Sequence, residues 1–285
     1  MNKWEKAEER FFKVLMVTAT WFIILILGII IYSIFEKGIR AMSWEIISQT
    51  PKGGFYYGKG GGILNAITGS LALAAGATAL AFLIGLPVAL FINVFLVRNK
   101  RLVNFIRFLL DLVWGIPSIV YGAFGFMMMI LIGLQTSLLA GIITVTLFIL
   151  PIMIRSMDEI LRTVPAGLME ASYSLGSNKS ETAFRIFTRQ TVSGIITAVL
   201  LSFGRAIGDA ASVLFTAGYT DNMPNSLLEP VATLPLSIFF QLSSPVPEVQ
   251  ERAYASALVL TIIILLASLF SRGLGKRYHK TKINF

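Results

Sequence analysis

The sequence predicts an all-α membrane protein with six transmembrane helices. Of its 285 residues, 55% are hydrophobic and only 14% are charged, a balance that soluble domains of this size rarely show. Several apolar stretches reach the roughly 20 residues that a helix needs to cross a bilayer. The basic residues also gather on one side of these stretches, as the topology of membrane proteins requires.

Six apolar stretches are the candidate spans. They are residues 14–35, 63–97, 105–134, 137–154, 191–217 and 254–271. The first is too long for the core of a signal peptide and no small-residue cleavage site follows it, so we expect it to be retained. The second is longer than one crossing needs, which indicates a short approach helix or a strong tilt. We expect Gly115 and Pro117 to interrupt the third.

Two segments outside the spans carry patterns of their own. Residues 1–13 place apolar side chains at helical spacing, which fits either a short interfacial helix or a solvated tail with anchoring aromatics. Residues 220–252 are rich in proline and serine, and we expect a loop that is partly re-entrant.

Lysine and arginine residues set the orientation. With the N-terminus in the cytoplasm, 18 of the 24 lie in cytoplasmic segments, five lie outside, and Arg205 is within the fifth span. The positive-inside rule then places both termini in the cytoplasm, in a multi-pass protein. This placement also accounts for the net charge of +9, so nucleic acid is not expected as a partner.

The residues needed for catalysis or metal binding are missing from the spans. The chain has no cysteine and one histidine, His279, which argues against the usual zinc and iron–sulfur sites. Residues 53–60 nearly match a Walker A loop, but Gly60 stands where Ser or Thr must hold magnesium, and no strand and helix flank it. We predict no catalytic residue, metal or cofactor, so energy from ATP must come from another subunit.

The long polar interruption between the fourth and fifth spans, residues 155–190, is named the polar segment. It carries two helical patterns around a turn at Gly176, and Ser177 or Asn178 is a candidate cap for the second helix, with Glu181 in its first turn. Spacing alone fits an ordinary ordered loop as well as a handle that a soluble motor protein pulls.

Part of the polar segment resembles the EAA loop of ABC-importer permeases. The residues that carry the resemblance are Glu170, Ala171, Ser172, Leu175 and Gly176. In that family the loop docks into a groove on the ATPase subunit, so the resemblance implies that Glu170, Ala171, Leu175 and Gly176 contact an ATPase. The sequence departs from the pattern at Ser172, where a second alanine is usual, and at Thr188 and Arg189, where Leu-Pro is usual. We therefore expect the exit of the second helix to differ.

Five further motifs narrow the resemblance to permeases of phosphate importers, the PstA type. They are GGIxxAIxG at 61–69, GIPSIVYG at 115–122, LPxxIR at 150–155, RAIGD at 205–209 and EPxxTLP at 229–235. The similarity covers residues 61–278, the expected permease core with its EAA loop. Residues 1–60 would then form a cytoplasmic helix, the first span and an external loop, and residues 279–285 a cytoplasmic tail.

The resemblance implies a type I ABC-importer permease fold, also called MetI-like, in the plasma membrane of a bacterium or archaeon. The implied function is ATP-driven import of inorganic phosphate. The implied partners are a second permease subunit (PstC-like), a pair of ATP-binding subunits (PstB-like), an external phosphate-binding protein (PstS-like), the lipid bilayer and phosphate. Import of molybdate, sulfate or phosphonate through the same architecture is an alternative, and a membrane anchor without transport is another.

The fifth span carries the candidate substrate pathway, Arg205 and Asp209, where the family usually has Glu at the second position. An arginine inside a span costs about 2.5–3.5 kcal/mol on insertion scales, so it should face a cavity or a partner. Its planar fork of donors suits phosphate. Asp209 lies four residues on, hence on the same helical face. Three roles are open for Arg205. It contacts the anion, it forms a salt bridge with Asp209, or it is paired with Asp209 until the anion replaces that partner.

Two more helical spacings predict contacts. Gly204, Gly208 and Ser212 form a stripe of small residues that permits close helix packing, either against a second permease or within this chain. Arg107 and Asp111 have i, i+4 spacing and predict a surface ion pair near the membrane edge.

Overall fold

The computed structural model describes residues 3–53 and 60–278, and every structural statement concerns these residues. The described chain is helical, with a single isolated antiparallel bridge between Pro51 and Gly61, so the all-α prediction is confirmed. The tail with His279 and residues 54–59 of the Walker-like loop lie outside the described residues. The division of the chain at residues 60 and 278 stays a prediction.

Most of the helices follow one another with short connections, and the longest connections are residues 49–63 and 209–233. They are α1 (Lys3–Ala41), α2 (Trp44–Ser48), α3 (Leu64–Leu90), α4 (Lys100–Trp114), α5 (Ser118–Ile132), α6 (Leu138–Leu161), α7 (Ala166–Ser174), α8 (Lys179–Glu181), α9 (Thr188–Gly208), α10 (Leu234–Leu242) and α11 (Pro247–Tyr278). Two π-helical stretches complete them, Phe91–Phe95 after α3 and Thr182–Phe187 between α8 and α9.

Five helical stretches of the described chain are long and apolar enough to cross a membrane. They are Glu8–Ala41, Leu64–Phe95, Leu138–Leu161, Lys179–Gly208 and Pro247–Gly273. Helices α4 and α5 pass the same test together but meet at an angle of 91°. The predicted interruption at Gly115 and Pro117 is confirmed, since α4 ends at Trp114 and α5 begins at Ser118. Six spans result when this bent pair counts as one.

Helix α6 is the centre of the bundle. Val145, Ile149, Met153 and Met157 follow one another at i, i+4 spacing and are fully buried. Helix α3 packs on α6 through small residues, including the fully buried Ala77, and small side chains allow the backbones to approach closely. Helix α9 packs against both α6 and α3, and α11 packs on α9.

Helix α1 has the opposite character. Its apolar window is not buried anywhere against the described chain, and its main contact is with α11. The two helices cross closely at Gly38, where an added Cβ would lie 2.7 Å from the Cβ of Leu258. Residues 3–13 are helical and continue this helix without a break, and their place at the membrane interface stays a prediction.

The fifth span ends earlier than its apolar pattern predicts. Helix α9 stops at Gly208, and Asp209 is extended, with φ −85° and ψ 124°. The Asp209 carboxylate accepts a hydrogen bond from the backbone N–H of Ser212 (2.8 Å), and such local side-chain bonds compete with helical ones. Beyond this point the chain is buried but not helical. The carbonyl of Thr216 accepts a hydrogen bond from the N–H of Ser137, and the carbonyl of Ala217 accepts one from the N–H of Val231.

The loop at residues 220–252 contains helix α10, which is inserted between α3 and α11. Thr233 caps it, and Leu234 and Leu236 are fully buried. The side-chain hydroxyl of Ser70 on α3 accepts a hydrogen bond from the backbone of Leu234 (2.7 Å). The loop is therefore packed into the bundle, and its re-entrant path through the membrane stays a prediction.

Candidate functional site

The first helix of the polar segment ends in a glycine turn. Gly176 has φ +83°, a left-handed conformation that glycine adopts without steric cost. Its N–H donates to the carbonyl of Tyr173 (3.0 Å), and the N–H of Ser177 donates to that of Ser172 (3.2 Å). Together these two bonds form a Schellman motif, which satisfies the last carbonyls of α7 and reverses the chain.

The second helix begins with a capping box. The Oδ1 atom of Asn178 accepts the N–H of Glu181 (2.8 Å), and the Glu181 carboxylate accepts the N–H of Asn178 (3.0 Å). Of the two predicted caps, the structure therefore selects Asn178 over Ser177.

A buried hydroxyl pair joins the two helices of the polar segment. Thr182 donates its hydroxyl to the carbonyl of Asn178 (3.0 Å), which leaves Ser172 to donate to Thr182 (2.9 Å). Ser172 and Thr182 are both buried. The departure from the EAA pattern at Ser172 thus supplies a bond that an alanine cannot make.

The residues at the tip of this segment leave their side chains free for a partner. All four predicted contact residues are exposed: Glu170, Ala171, Leu175 and Gly176. The Leu175 side chain is 87% exposed, which is more than is usual for a leucine on a surface that has no partner. Behind the tip, the second helix runs without a break from Lys179 through the π-helical turn into α9. The helix that follows the tip is therefore the same helix that carries Arg205.

A cluster of five polar residues, the Asp158 cluster, lies at the base of the polar segment. Its members are Asn93, Arg107, Asp111, Arg155 and Asp158. The carboxylate of Asp158 is 0% exposed and accepts four hydrogen bonds of 2.8–2.9 Å, two of them from Arg107. Arg155 and Asn93 donate the other two, and Arg155 also donates to Asp111 (2.7 Å).

The predicted surface pair between Arg107 and Asp111 is wrong. Both residues turn toward α6, where Arg107 binds Asp158 and Asp111 binds Arg155. The buried carboxylate is the stronger attraction because a charge removed from water must be paired. The role of Asp158 was not predicted from the sequence, although polar residues in α4, in α6 and just after α3 were a signal for such a cluster.

Arg205 lies on an exposed face of α9. Its guanidinium carbon is 4.9 Å from the centroid of the Phe148 ring, a cation–π contact, and Tyr121 packs edge-on against the same ring. Within residues 60–278, no ion pair joins Arg205 to Asp209. The expected shared helical face is wrong because Asp209 has left the helix and its carboxylate binds the backbone of Ser212.

The three small residues of the predicted stripe do not lie on one helical face. Ser212 lies beyond the end of α9 and packs on α5, where a Cβ added to Gly122 would lie 3.0 Å from the Ser212 carbonyl oxygen. Gly208 faces Ile264 of α11 at 3.8 Å, within the chain. Gly204 has no described atom within 4 Å of an added Cβ, so within the predicted stripe this is the position that leaves room for a close approach by another helix.

Known proteins with similar sequences identify the family. Residues 81–281 match the family described as binding-protein-dependent transport system inner membrane component. The chain is 34% identical over 273 residues to phosphate transport system permease protein PstA of Yersinia pestis, covering 94% of this chain and 90% of that protein. It is 36% identical over 224 residues to the PstA protein of Mycobacterium leprae, covering 78% and 72%. The chain belongs to this family, as a PstA-type permease.

The fold agrees with this assignment. An inward-facing structure of the MetNI methionine ABC transporter superposes with a TM-score of 0.64 at 18% identity, covering 76% of this chain and 95% of that one. The type I, MetI-like fold is therefore confirmed. As a PstA-type permease, the chain is a multi-pass membrane subunit of an ABC importer, not an enzyme, and other permease and ATPase subunits complete the transporter.

The PstA-type permease thus holds its predicted residues in two separate places. Glu170, Ala171, Leu175 and Gly176 gather at one exposed tip. Arg205 and Asp209 are neighbours in sequence, but their side chains have different partners.

Proposed function

We propose that this chain forms half of the translocation path of an ATP-driven phosphate importer. The observation that carries the proposal is the similarity to phosphate transport permeases over most of the chain, at 32–34% identity in the first three relatives. The remaining partners are a PstC-like permease, a pair of PstB-like ATPases and a PstS-like external phosphate-binding protein.

The tip of the polar segment is the docking element for the ATPase. The exposed Leu175 supplies an apolar anchor, and Glu170 supplies a charge at the edge of the contact. The Schellman turn, the capping box and the Ser172–Thr182 bond hold this tip in one shape before the partner arrives. Because less order is then lost on docking, such preorganisation strengthens the contact.

Arg205 contacts phosphate in the path. It is an exposed cation on a helix face shared with the exposed Leu201, and a bare charge facing lipid would be costly. A second permease with an aqueous path between the two chains removes that cost, and the open space at Gly204 leaves room for it. With Asp209 bound to Ser212, the Arg205 guanidinium keeps its donors for an anion.

Uptake by the purified transporter tests the function. We expect proteoliposomes holding the full complex and the external binding protein to accumulate radiolabelled phosphate only when ATP is supplied on the ATPase side. Sulfate and molybdate in tenfold excess should leave uptake unchanged. Competition by either anion, with labelled uptake of that anion, would assign the path to another oxyanion.

The orientation has its own test because the native chain has no cysteine. Single cysteines are introduced at Ser177, in the polar segment, and at Ser226, in the 220–252 loop. In intact cells, a membrane-impermeant maleimide should label Ser226→Cys and spare Ser177→Cys until the membrane is opened. The reverse pattern would refute cytoplasmic termini and the docking proposal together.

A further inference from the structure

A cavity of about 360 Å³ lies beside the polar segment, between α4, the end of α3 and the base of α7. This volume falls in the range of small-ligand sites. Its polar lining consists of Asn93, Lys100, Asn104, Arg107 and Arg162, and aliphatic side chains with Phe187 form the rest. The cavity is separate from the path residue Arg205 and from the exposed tip at Leu175.

The charge of the lining is uniformly positive. Three lining residues are cations and none of the lining residues is a carboxylate. Arg107 is already bound to Asp158. The side chains of Lys100 and Arg162, by contrast, make no hydrogen bond or ion pair with the residues that the structure describes. Two cations without a counter-charge therefore face one cavity, which favours an anion.

Helix α4 relates this cavity to the lipid. One face of α4 lines the cavity. The lining residues of this helix have the spacing i, i+3, i+4 and i+7, and they are Lys100, Val103, Asn104 and Arg107. The opposite face exposes a row of large apolar side chains: Leu102, Phe105, Phe108, Leu109 and Leu112. A helix with a basic face and an uncovered apolar face is typical of the boundary between headgroups and acyl chains.

We propose that this cavity binds the phosphate-bearing headgroup of an anionic phospholipid from the cytoplasmic leaflet. Lys100 and Arg162 bind the phosphate, and the Asn104 amide hydrogen-bonds a hydroxyl of the headgroup. The acyl chains follow the apolar face of α4. Basic pockets between spans at the cytoplasmic surface suit such headgroups by charge and by depth.

The position gives the lipid a mechanical role. Ala166 and Met169 of α7 line the same cavity as Asn104 of α4, and Arg162 lies in the link between α6 and α7. A bound headgroup therefore bridges the polar segment to the membrane-embedded bundle. The binding step itself does not depend on which solute is transported.

Native mass spectrometry of the full transport complex tests the site directly. The complex is titrated with phosphatidylglycerol and with phosphatidylcholine of the same acyl chains, and we expect retention of the anionic lipid alone. Lys100→Ala with Arg162→Ala should weaken phosphatidylglycerol binding about 30-fold, the factor expected for two basic residues near a bilayer surface. Lys100→Arg with Arg162→Lys should retain binding, because both charges remain.

The matched control is Arg98→Ala with Arg101→Ala, which removes two cations from the same stretch but outside the cavity lining. We expect it to bind the anionic lipid like the native complex. Equal losses in both double variants, or equal binding of phosphatidylcholine, would overturn the proposal. Displacement of the lipid by millimolar inorganic phosphate would assign the site to a free anion and overturn it as well. The same spectra report whether each variant complex is assembled.

Discussion

Two arginine-containing regions of this protein differ in whether the arginine charges are paired with a carboxylate. In the Asp158 cluster, Arg107 and Arg155 share a buried carboxylate whose oxygens accept four hydrogen bonds. Arg205, in contrast, lies on an exposed face with a phenylalanine ring as its described contact. A charge that is fully paired within the chain stabilises the fold, whereas a charge left without a counter-ion is available to a substrate or partner.

The largest expected effect comes from removing the centre of the paired region. Asp158→Ala leaves Arg107 and Arg155 without their buried partner, which should cost about 3–5 kcal/mol of stability. The measurement is the thermal unfolding midpoint of the purified complex together with its yield. Glu159→Ala, at the exposed neighbouring position, is the control and should change stability by about 0.5 kcal/mol or less. Similar midpoints for the two variants would show that the cluster does not support the fold.

Arg205→Ala should affect transport and not stability, in contrast to Asp158→Ala. We expect phosphate uptake to be lost while the complex assembles with native stability, since no described ion pair of the chain is broken. Arg205→Lys keeps the charge but not the two-pronged geometry, and it should retain a small part of the uptake. Unchanged uptake in Arg205→Ala would remove this residue from the path.

Glu170→Lys tests the exposed tip. Reversing this charge should weaken ATPase docking about tenfold or more, or uncouple ATP hydrolysis from uptake, because the proposed contact then loses its acidic group and gains a cation. Co-purification of the ATPase and the ratio of ATP hydrolysed to phosphate imported are the measurements. Glu159→Lys reverses an acidic residue outside the tip and should leave both unchanged. Normal coupled transport in Glu170→Lys would contradict the docking proposal.

The smallest expected effect lies inside the polar segment. Ser172→Ala removes the hydroxyl bond to Thr182 and should lower stability by about 1 kcal/mol, read from the unfolding midpoint. Ser174→Ala is the control, since its hydroxyl bonds an exposed carbonyl one turn back in the same helix. If Ser174→Ala destabilises as much as Ser172→Ala, the buried pair has no special role.

Local chemistry was predictable from the sequence and distant pairing was not. The turn at Gly176 and the cap at Asn178 depend on backbone bonds within a few residues, so their motifs are visible in the chain. The spans were predictable because each depends on its own hydropathy. In contrast, the partner of Arg107 lies 51 residues away, and no local spacing specifies it.

The errors around Arg205 have one physical source. An i, i+4 argument holds only while the helix continues, and the Asp209 side chain binds the backbone of Ser212 just where α9 ends. Asp209 and Ser212 therefore both left the helical face on which the spacing placed them. An aspartate followed by small residues near the end of an apolar stretch was a weak signal for this early stop.

The unbroken helix from Lys179 to Gly208 converts a small rotation at one end into a larger displacement at the other. Arg205 lies about 39 Å along this rod from its beginning, at 1.5 Å per residue. A tilt of about 5° at the Lys179 end would move the guanidinium through about 3 Å, as far as a hydrogen bond is long. In the proposed function, a rotation this small is enough to form or break the contact between Arg205 and the anion.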